Sequence, residues 1–200
     1  MKQVILKHRR PYLSPVTFGQ MNVVIRPFDE FDWPEVLRIA RNVACAGNSY
    51  TWEEDVSDGQ LADYWKTNKG SPAIDSYVAT SGENGIVGCY VVHPNRDGRG
   101  AHVAHCAYIV HEDHRGKGVG SSLCAHSISK ATERGFAGIQ FNMVVSTNVA
   151  AIHLWQKFGF RIIGTLPRVF NHKDHGLVDA HIMYLELTDP LPKQQQQKLP

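Results

Sequence analysis

The chain predicts an α/β fold, with a mixed but mostly antiparallel central sheet flanked by helices. Three observations carry that prediction. Apolar runs change period along the chain in the order β-α-α-β-β-β-α-β-α-β-β. Two β-prone runs, 76–80 and 86–93, flank Ser81-Gly82-Glu83-Asn84-Gly85, whose Asn-Gly step suits a hairpin turn; a third run follows and extends an antiparallel meander. That third run, 101–110, then feeds a helix through a loop in which Gly116, Gly118 and Gly120 fall at every second position.

Residues 1–21 read as a loosely held arm, 22–188 as the folded domain and 189–200 as a disordered Pro/Gln-rich tail. The domain opens with a short strand over 23–28, ended by Arg26-Pro27. Asp29 and Asp32 offer helix caps, and Pro34 suits a first turn. Val36, Leu37, Ala40, Val43 and Ala44 recur at helical spacing until Gly47 stops the run. Residues 58–67 predict a second helix with Leu61, Tyr64 and Trp65 on its apolar side. Trp52 and Glu53, just before it, sit in a loop placed to roof a pocket. After the meander, Val119, Leu123, Ile128 and Ala131 share one side of a long helix that ends at Arg134-Gly135. A strand over 139–145 precedes a helix capped by Thr147 or Asn148, with Ala151, Leu154, Trp155 and Phe158 as its stripe and Gly159 as its stop. A strand over 160–166, a polar loop over 167–176 holding His172 and His175, and a strand over 178–187 complete the order.

Composition narrows the function classes. At 200 residues, one domain with a full core is expected. A formal net charge of +2 argues against nucleic acid and against an anionic membrane surface. No apolar run approaches the length of a membrane span. The four cysteines, Cys45, Cys89, Cys106 and Cys124, lie far apart with no C-x-x-C, as reduced thiols of a cytoplasmic protein would. Lys2, Lys7, Arg9 and Arg10 precede no apolar segment, which excludes a secretory signal. The absence of acids before Asp29 leaves a transit peptide open. Neither His102, His105 and Cys106 nor His111 and His114 has a zinc-ligand spacing, so no metal is expected.

The glycine loop is built for an anion. Gly116 and Gly118 permit close backbone approach and positive φ, as does Gly120. Val119, Gly120 and Ser121 open a helix whose first amides lack intrahelical partners and carry the positive end of its dipole. Arg115 and Lys117 add two cations, so the place suits a phosphate or pyrophosphate. No Gly-Lys-Ser/Thr makes it a Walker loop, and the glycine spacing is not that of a dinucleotide fingerprint. It fits Arg-x-x-Gly-x-Gly, as Arg115, Gly118 and Gly120. Downstream, Asn148, Ala151, Leu154, Lys157, Gly159 and Phe160 fall in the register Asn-x-x-Ala-x-x-Leu-Tyr-x-Lys-x-Gly-Phe, with Trp155 where that pattern has tyrosine.

On these two motifs the chain resembles the GNAT superfamily of N-acetyltransferases over about residues 22–188. The resemblance implies acetyl-CoA as co-substrate, a GNAT fold whose fourth and fifth strands splay apart, and a pantetheine arm threaded between them. It implies that backbone groups of Tyr108, Ile109 and Val110 pair with that arm, that Arg115, Gly116, Lys117, Gly118, Val119, Gly120 and Ser121 hold the pyrophosphate, and that Asn148 lies near the pantetheine. Phe141-Asn142-x-Val144-x-x-Thr147-Asn148, Ile163-Gly164-x-x-Pro167 and Val178-Asp179-Ala180 further resemble the enzymes that acetylate azetidine-2-carboxylate, a proline analogue. The phosphinothricin-type acetyltransferases are a second relative. Both imply a small amino-acid-like acceptor.

Acetyl transfer needs a neutral amine, a polarised thioester carbonyl and an exit for the thiolate. Deprotonating an α-amine at neutral pH costs about 1 kcal/mol, and a lysine amine about 4–5 kcal/mol. An α-amine therefore demands little of a base, and residues 101–111 contain no Asp or Glu to serve as one. His105 is the candidate proton acceptor, on the strand face shared with Val103 and Ile109; a packed or surface histidine is the alternative. Asn142, polar within an apolar strand, either binds acceptor and thioester or satisfies nearby backbone. Asn148 is a helix cap, a cofactor contact, or both. Trp155 carries no useful acid proton and reads equally as core. Asp179 could bind a cationic amine or pair with an Arg or Lys. The expected activity is direct acetyl transfer to a small-molecule amine within a ternary complex, and a homodimer is admitted. The alternatives are an acyl-CoA sensor without turnover and a transferase acting on protein N-termini or lysines.

Overall fold

A computed structural model describes residues 22–66, 74–82 and 85–187. The arm, the tail, Thr67 and Asn84 of the expected hairpin turn lie outside the described residues. The strands are β1 (Val24–Pro27), β2 (Asp75–Thr80), β3 (Ile86–Pro94), β4 (Val103–Val110), β5 (Gly138–Val145), β6 (Arg161–His172) and β7 (Gly176–Glu186). The helices are α1 (Trp33–Ala46), α2 (Asp58–Trp65), α3 (Val119–Glu133) and α4 (Val149–Lys157). The strands form one sheet in the order β1-β2-β3-β4-β5-β7-β6. Every pairing is antiparallel except β4 with β5. The expected fold class is the observed one.

Local chemistry sets the helix ends. Asp29 and Asp32 form a capping box on a short turn before α1, and Asp32 also takes two 2.7 Å bonds from Arg26 of β1. The Arg26 guanidinium holds the Asp32 carboxyl below its ordinary range. Gly47 closes α1 at φ 57°, a conformation that penalises a side chain. Ser57 and Gln60 make the same box for α2, which ends at Trp65, two residues sooner than expected. One face of the sheet is covered by α1 and α2, whose Val36, Ile39, Leu61 and Trp65 pack on Val78, Cys89 and Ile109. The other is covered by α3 and α4, where Leu123, Cys124 and Trp155 meet Tyr90, Cys106 and Phe141. Among the described residues, no helix is long and apolar enough to cross a membrane.

Two features shape the cleft. The parallel pair β4/β5 is joined only at Val103–Gly138 and Ala104–Ile139, after which the strands separate. The splay that the resemblance implied is therefore present. The second feature corrects the sequence reading: 167–176 is not a loop. β6 runs unbroken to His172, and only residues 173–175 reverse the chain. Pro167 misleads because it ends most strands, yet β6 is an edge strand, where a missing N–H is tolerated. Pro167, Arg168 and Val169 bulge opposite the single residue Asp179, with Arg168 at φ 51°. The Arg168 N–H donates to Asp179 Oδ1 at 2.8 Å, so that carboxylate pins the bulge.

Candidate active site

The anion-ready loop has the geometry its glycines demand. Gly116 and Gly118 take φ of 73° and 90°, in the left-handed region that favours glycine. Gly118 precedes α3 with no side-chain cap, and the first turn holds no acid. The first intrahelical bond runs from Ser122 N–H to Gly118 O at 3.0 Å. The amides of Val119, Gly120 and Ser121 precede it and point out of the helix start. Gly120 departs from expectation. The place of its missing Cβ lies 3.2 Å from Leu154 Cδ2, so the residue lets α3 approach α4. Its bareness thus serves helix packing, and only its amide is left to face the loop. Arg115 lines the cleft, whereas Lys117 is exposed and lies outside its walls.

The splay encloses a cleft of about 760 Å³. In β4, alternate residues turn their backbone groups toward β3 and toward the gap. Val103 O accepts from Asn95 and His111 N–H donates to Val87 O, so odd-numbered residues serve β3. Ile109 is one of them, and its polar backbone is unavailable to a ligand in the gap. This corrects the expectation for Ile109 and leaves Tyr108 and Val110. Tyr108 N–H donates to Tyr50 Oη at 3.0 Å, and Tyr50 Oη donates to Tyr108 O at 2.8 Å. Val110 O accepts a long 3.4 Å bond from Arg115 Nε.

A polar cluster lies deeper. His105 and His93 are cross-strand partners with ring centroids 5.3 Å apart. His105 Nδ1 meets Gln140 O at 3.0 Å, and His93 Nδ1 meets Pro94 O at 2.8 Å. A carbonyl only accepts, so each Nδ1 carries the proton and each Nε2 keeps its lone pair. Burial is the main cause that lowers both pKa values, His105 to about 4. His105 is therefore a neutral acceptor of hydrogen bonds at pH 7, and a weaker base than an unperturbed histidine. Asn142 accepts from Gln140 Nε2 at 2.9 Å and donates to Asn95 Oδ1 at 2.7 Å. Both histidines, Asn95, Arg96 and Asn142 line the cleft. His93, Asn95 and Gln140 were missed in the sequence, because only the strand register brings them to His105 and Asn142.

The depressed His105 pKa has a stability consequence. The unfolded chain binds this proton at about pH 6.5 and the folded chain only near pH 4, so the contribution is complete above about pH 6.5. It drains as pH falls toward 4. His105→Gln should remove about 2 kcal/mol of the stability lost between about pH 7 and about pH 5. Urea midpoints at the two pH values check it, and an unchanged slope would refute it.

Asn148 does one of its two expected tasks visibly: its Oδ1 accepts from Ala151 N–H at 3.2 Å and caps α4. It also lines the cleft, and no described residue engages its Nδ2. Trp155 is 8% exposed, with ring centroids 4.8 Å from Tyr108 and 4.9 Å from Phe141, as a core residue at the cleft floor. The outer end of the cleft is walled by Asn48, Tyr50, Tyr64 and His172. Here the β6–β7 turn docks on α1. Lys173 N–H donates to Gly47 O at 3.0 Å, and its ammonium reaches Cys45 O at 3.1 Å and Glu54 at 2.5 Å. No Asp or Glu lines the cleft among the described residues, and no group of acids, histidines and cysteines among them is placed to hold a metal.

The sequence model of the acetyltransferase (GNAT) family matches residues 38–160. The N-acetyltransferase aca1 of Schizosaccharomyces pombe is 33% identical over 114 residues, 56% of this chain and 54% of that protein, so the chain spans about half the length of this curated relative. Among solved structures, a GCN5-related N-acetyltransferase from Kribbella flavida is 39% identical, with TM-score 0.79 over 82% of this chain and 98% of that one. A ribosomal-protein-alanine N-acetyltransferase from Brucella melitensis is 27% identical, with TM-score 0.73 over 82% and 99%.

Proposed function

We propose, from the premise that this chain belongs to the acetyltransferase (GNAT) family, that it transfers the acetyl group of acetyl-CoA to the amine of a small, amino-acid-like acceptor. The observation that carries this reading is one cleft with two unlike ends. One end is walled by Arg115, which leads through Gly116 and Gly118 into the uncapped start of α3; the other is polar and, among the described residues, free of carboxylates. The diphosphate would lie on the amides of Val119, Gly120 and Ser121, with Arg115 beside them. The cleft-facing backbone of Tyr108 and Val110 would meet the arm.

The cleft's charge selects the acceptor. A polyamine or a lysine side chain would need acids to hold its cation, and among the described residues no Asp or Glu lines the walls. Arg96 lines them, bonds only to Asn95 O at 2.9 Å and has no acidic partner among the described residues. An amino acid offers it a carboxylate, with Asn142 beside it, and its α-amine is deprotonated at small cost. The amine lone pair forms the new C–N bond while the C–S bond breaks; the thiolate leaves with its electron pair and takes up the proton that the amine nitrogen loses, directly or through water, so the products are the amide and the free thiol. His105, which lines the cleft with its Nε2 lone pair free, would accept a hydrogen bond from the attacking amine. A thiolate of pKa about 8.5 leaves without an acid from the Trp155 position.

Thiol release from acetyl-CoA over a panel of amino acids, with azetidine-2-carboxylate and proline among them and spermidine and a lysine peptide as controls, tests the reading. Turnover should favour the amino acids. No release with any amine would overturn it. Cys106 also lines the cleft, but burial pushes its thiol up to about 12, so it stays protonated. Transfer is then direct: Cys106→Ala should keep at least about half the turnover, and intact mass should show no acetylated chain. A covalent acetyl adduct would refute direct attack.

A further inference from the structure

One side chain from across the cleft takes both polar backbone atoms of Tyr108. Beyond Ala104 the neighbouring strand has departed, and a buried strand edge must find other partners for its N–H and C=O. The Tyr50 phenol has one proton to give and lone pairs to receive, the complement of an N–H and a C=O facing the same way. It makes both bonds, at 3.0 and 2.8 Å. Burial holds its pKa well above the ordinary range, so the donated proton stays at working pH. An amide-bearing arm threaded along the same edge offers the same complement. The arm and the phenol cannot both have it.

The segment that carries Tyr50 is held at its ends, and between them Glu54 pairs with Lys173. Lys173 N–H holds Gly47 O, and Arg41 holds Val56 O at 3.0 Å. Among the described residues, the Tyr50 hydroxyl makes the only hydrogen bonds from residues 48–55 to β4. Its ring stacks on Trp52 at 4.5 Å and 5°, and both rings meet Tyr64 and Trp65 edge-on, so moving the hydroxyl off Tyr108 takes a shift within this aromatic cluster.

We infer that Tyr50 is an exchangeable plug, whose hydroxyl satisfies β4 in the empty protein and is displaced from Tyr108 when the thioester arm binds. The inference rests on the reading that this cleft takes acetyl-CoA. Its consequence is order: Tyr50, which walls the cleft, reaches its working position only after the first substrate arrives.

Tyr50→Phe keeps the ring and removes both bonds. The unliganded full-length variant should melt below the wild type, because Tyr108 loses its partners. By calorimetry it should bind CoA about 10-fold more tightly, since there is no plug to displace. A purely structural tyrosine would lower the melting temperature and leave CoA affinity equal or weaker, and that result overturns the plug. Hydrogen exchange on the wild type gives a second test. Adding CoA should speed exchange over residues 48–55 while slowing it at 108–121, and slowing in both would overturn the plug. A wild type that binds no CoA removes the parent reading and the plug together; binding by the wild type with no gain in Tyr50→Phe removes the plug alone.

Discussion

Replacing Gly118 by glutamate should abolish CoA binding while the protein still folds. Gly118 sits at φ 90° immediately before α3, where any L-residue is strained by about 1–2 kcal/mol. That is a loss of a few degrees in melting temperature for a domain of this size. The charge does more. A carboxylate about 5 Å from a diphosphate oxygen repels it by about 3 kcal/mol at an effective dielectric constant of about 20, which is at least about 100-fold in affinity. Gly118→Ala carries the same strain without the charge and separates the two effects. Titration calorimetry with CoA checks both variants. An unchanged affinity for Gly118→Glu would place the pyrophosphate somewhere else.

The largest stability effect is expected at Gly138. This residue is one of two that join β5 to β4, and it also pairs with Glu186 of β7. A Cβ there would stand 2.6 Å from Tyr184 Cζ and 2.9 Å from Leu185 O. The tyrosine ring can shift; the strand carbonyl cannot without moving the sheet. Gly138→Ala should therefore cost about 2–3 kcal/mol, the upper part of the overpacking range, and lower the melting temperature by about 5–10 °C. Gly164→Ala is the control, since its Cβ would meet only Ile182 Cδ1 at an ordinary 3.8 Å. Equal melting temperatures for the two variants would refute the steric account.

What the sequence made legible was whatever rests on local chemistry. The helix starts at Asp29, Ser57 and Asn148 and the stops at Gly47 and Gly159 are short-range signals, and each stands where the residue types put it. The strained glycines at 116 and 118 are equally local. The errors share one cause, a dependence on strand register. Ile109 and Tyr108 look alike in the sequence, yet one serves β3 and the other the gap. Gly120 looks like its two neighbouring glycines until α4 is placed against it. Pro167 reads as a strand end because nothing local says that β6 has a free edge. The partnership of Gln140, Asn142 and Asn95 needs the residue that follows β3 to reach β5 past the intervening β4. Nothing local marks Tyr50, because its hold on Tyr108 joins residues 58 positions apart.

The docking of Lys173 on the end of α1 bears on how the chain is made. The longest of those contacts joins positions 128 residues apart, and contacts of long sequence separation form late because the intervening chain must first be closed into a loop. As the polypeptide leaves the ribosome, α3 and its glycine loop are complete long before the second hairpin emerges. A half-synthesised molecule would thus have its anion cradle but an open acceptor end. On the proposed reading, selectivity for the amine would be the last property the nascent protein acquires.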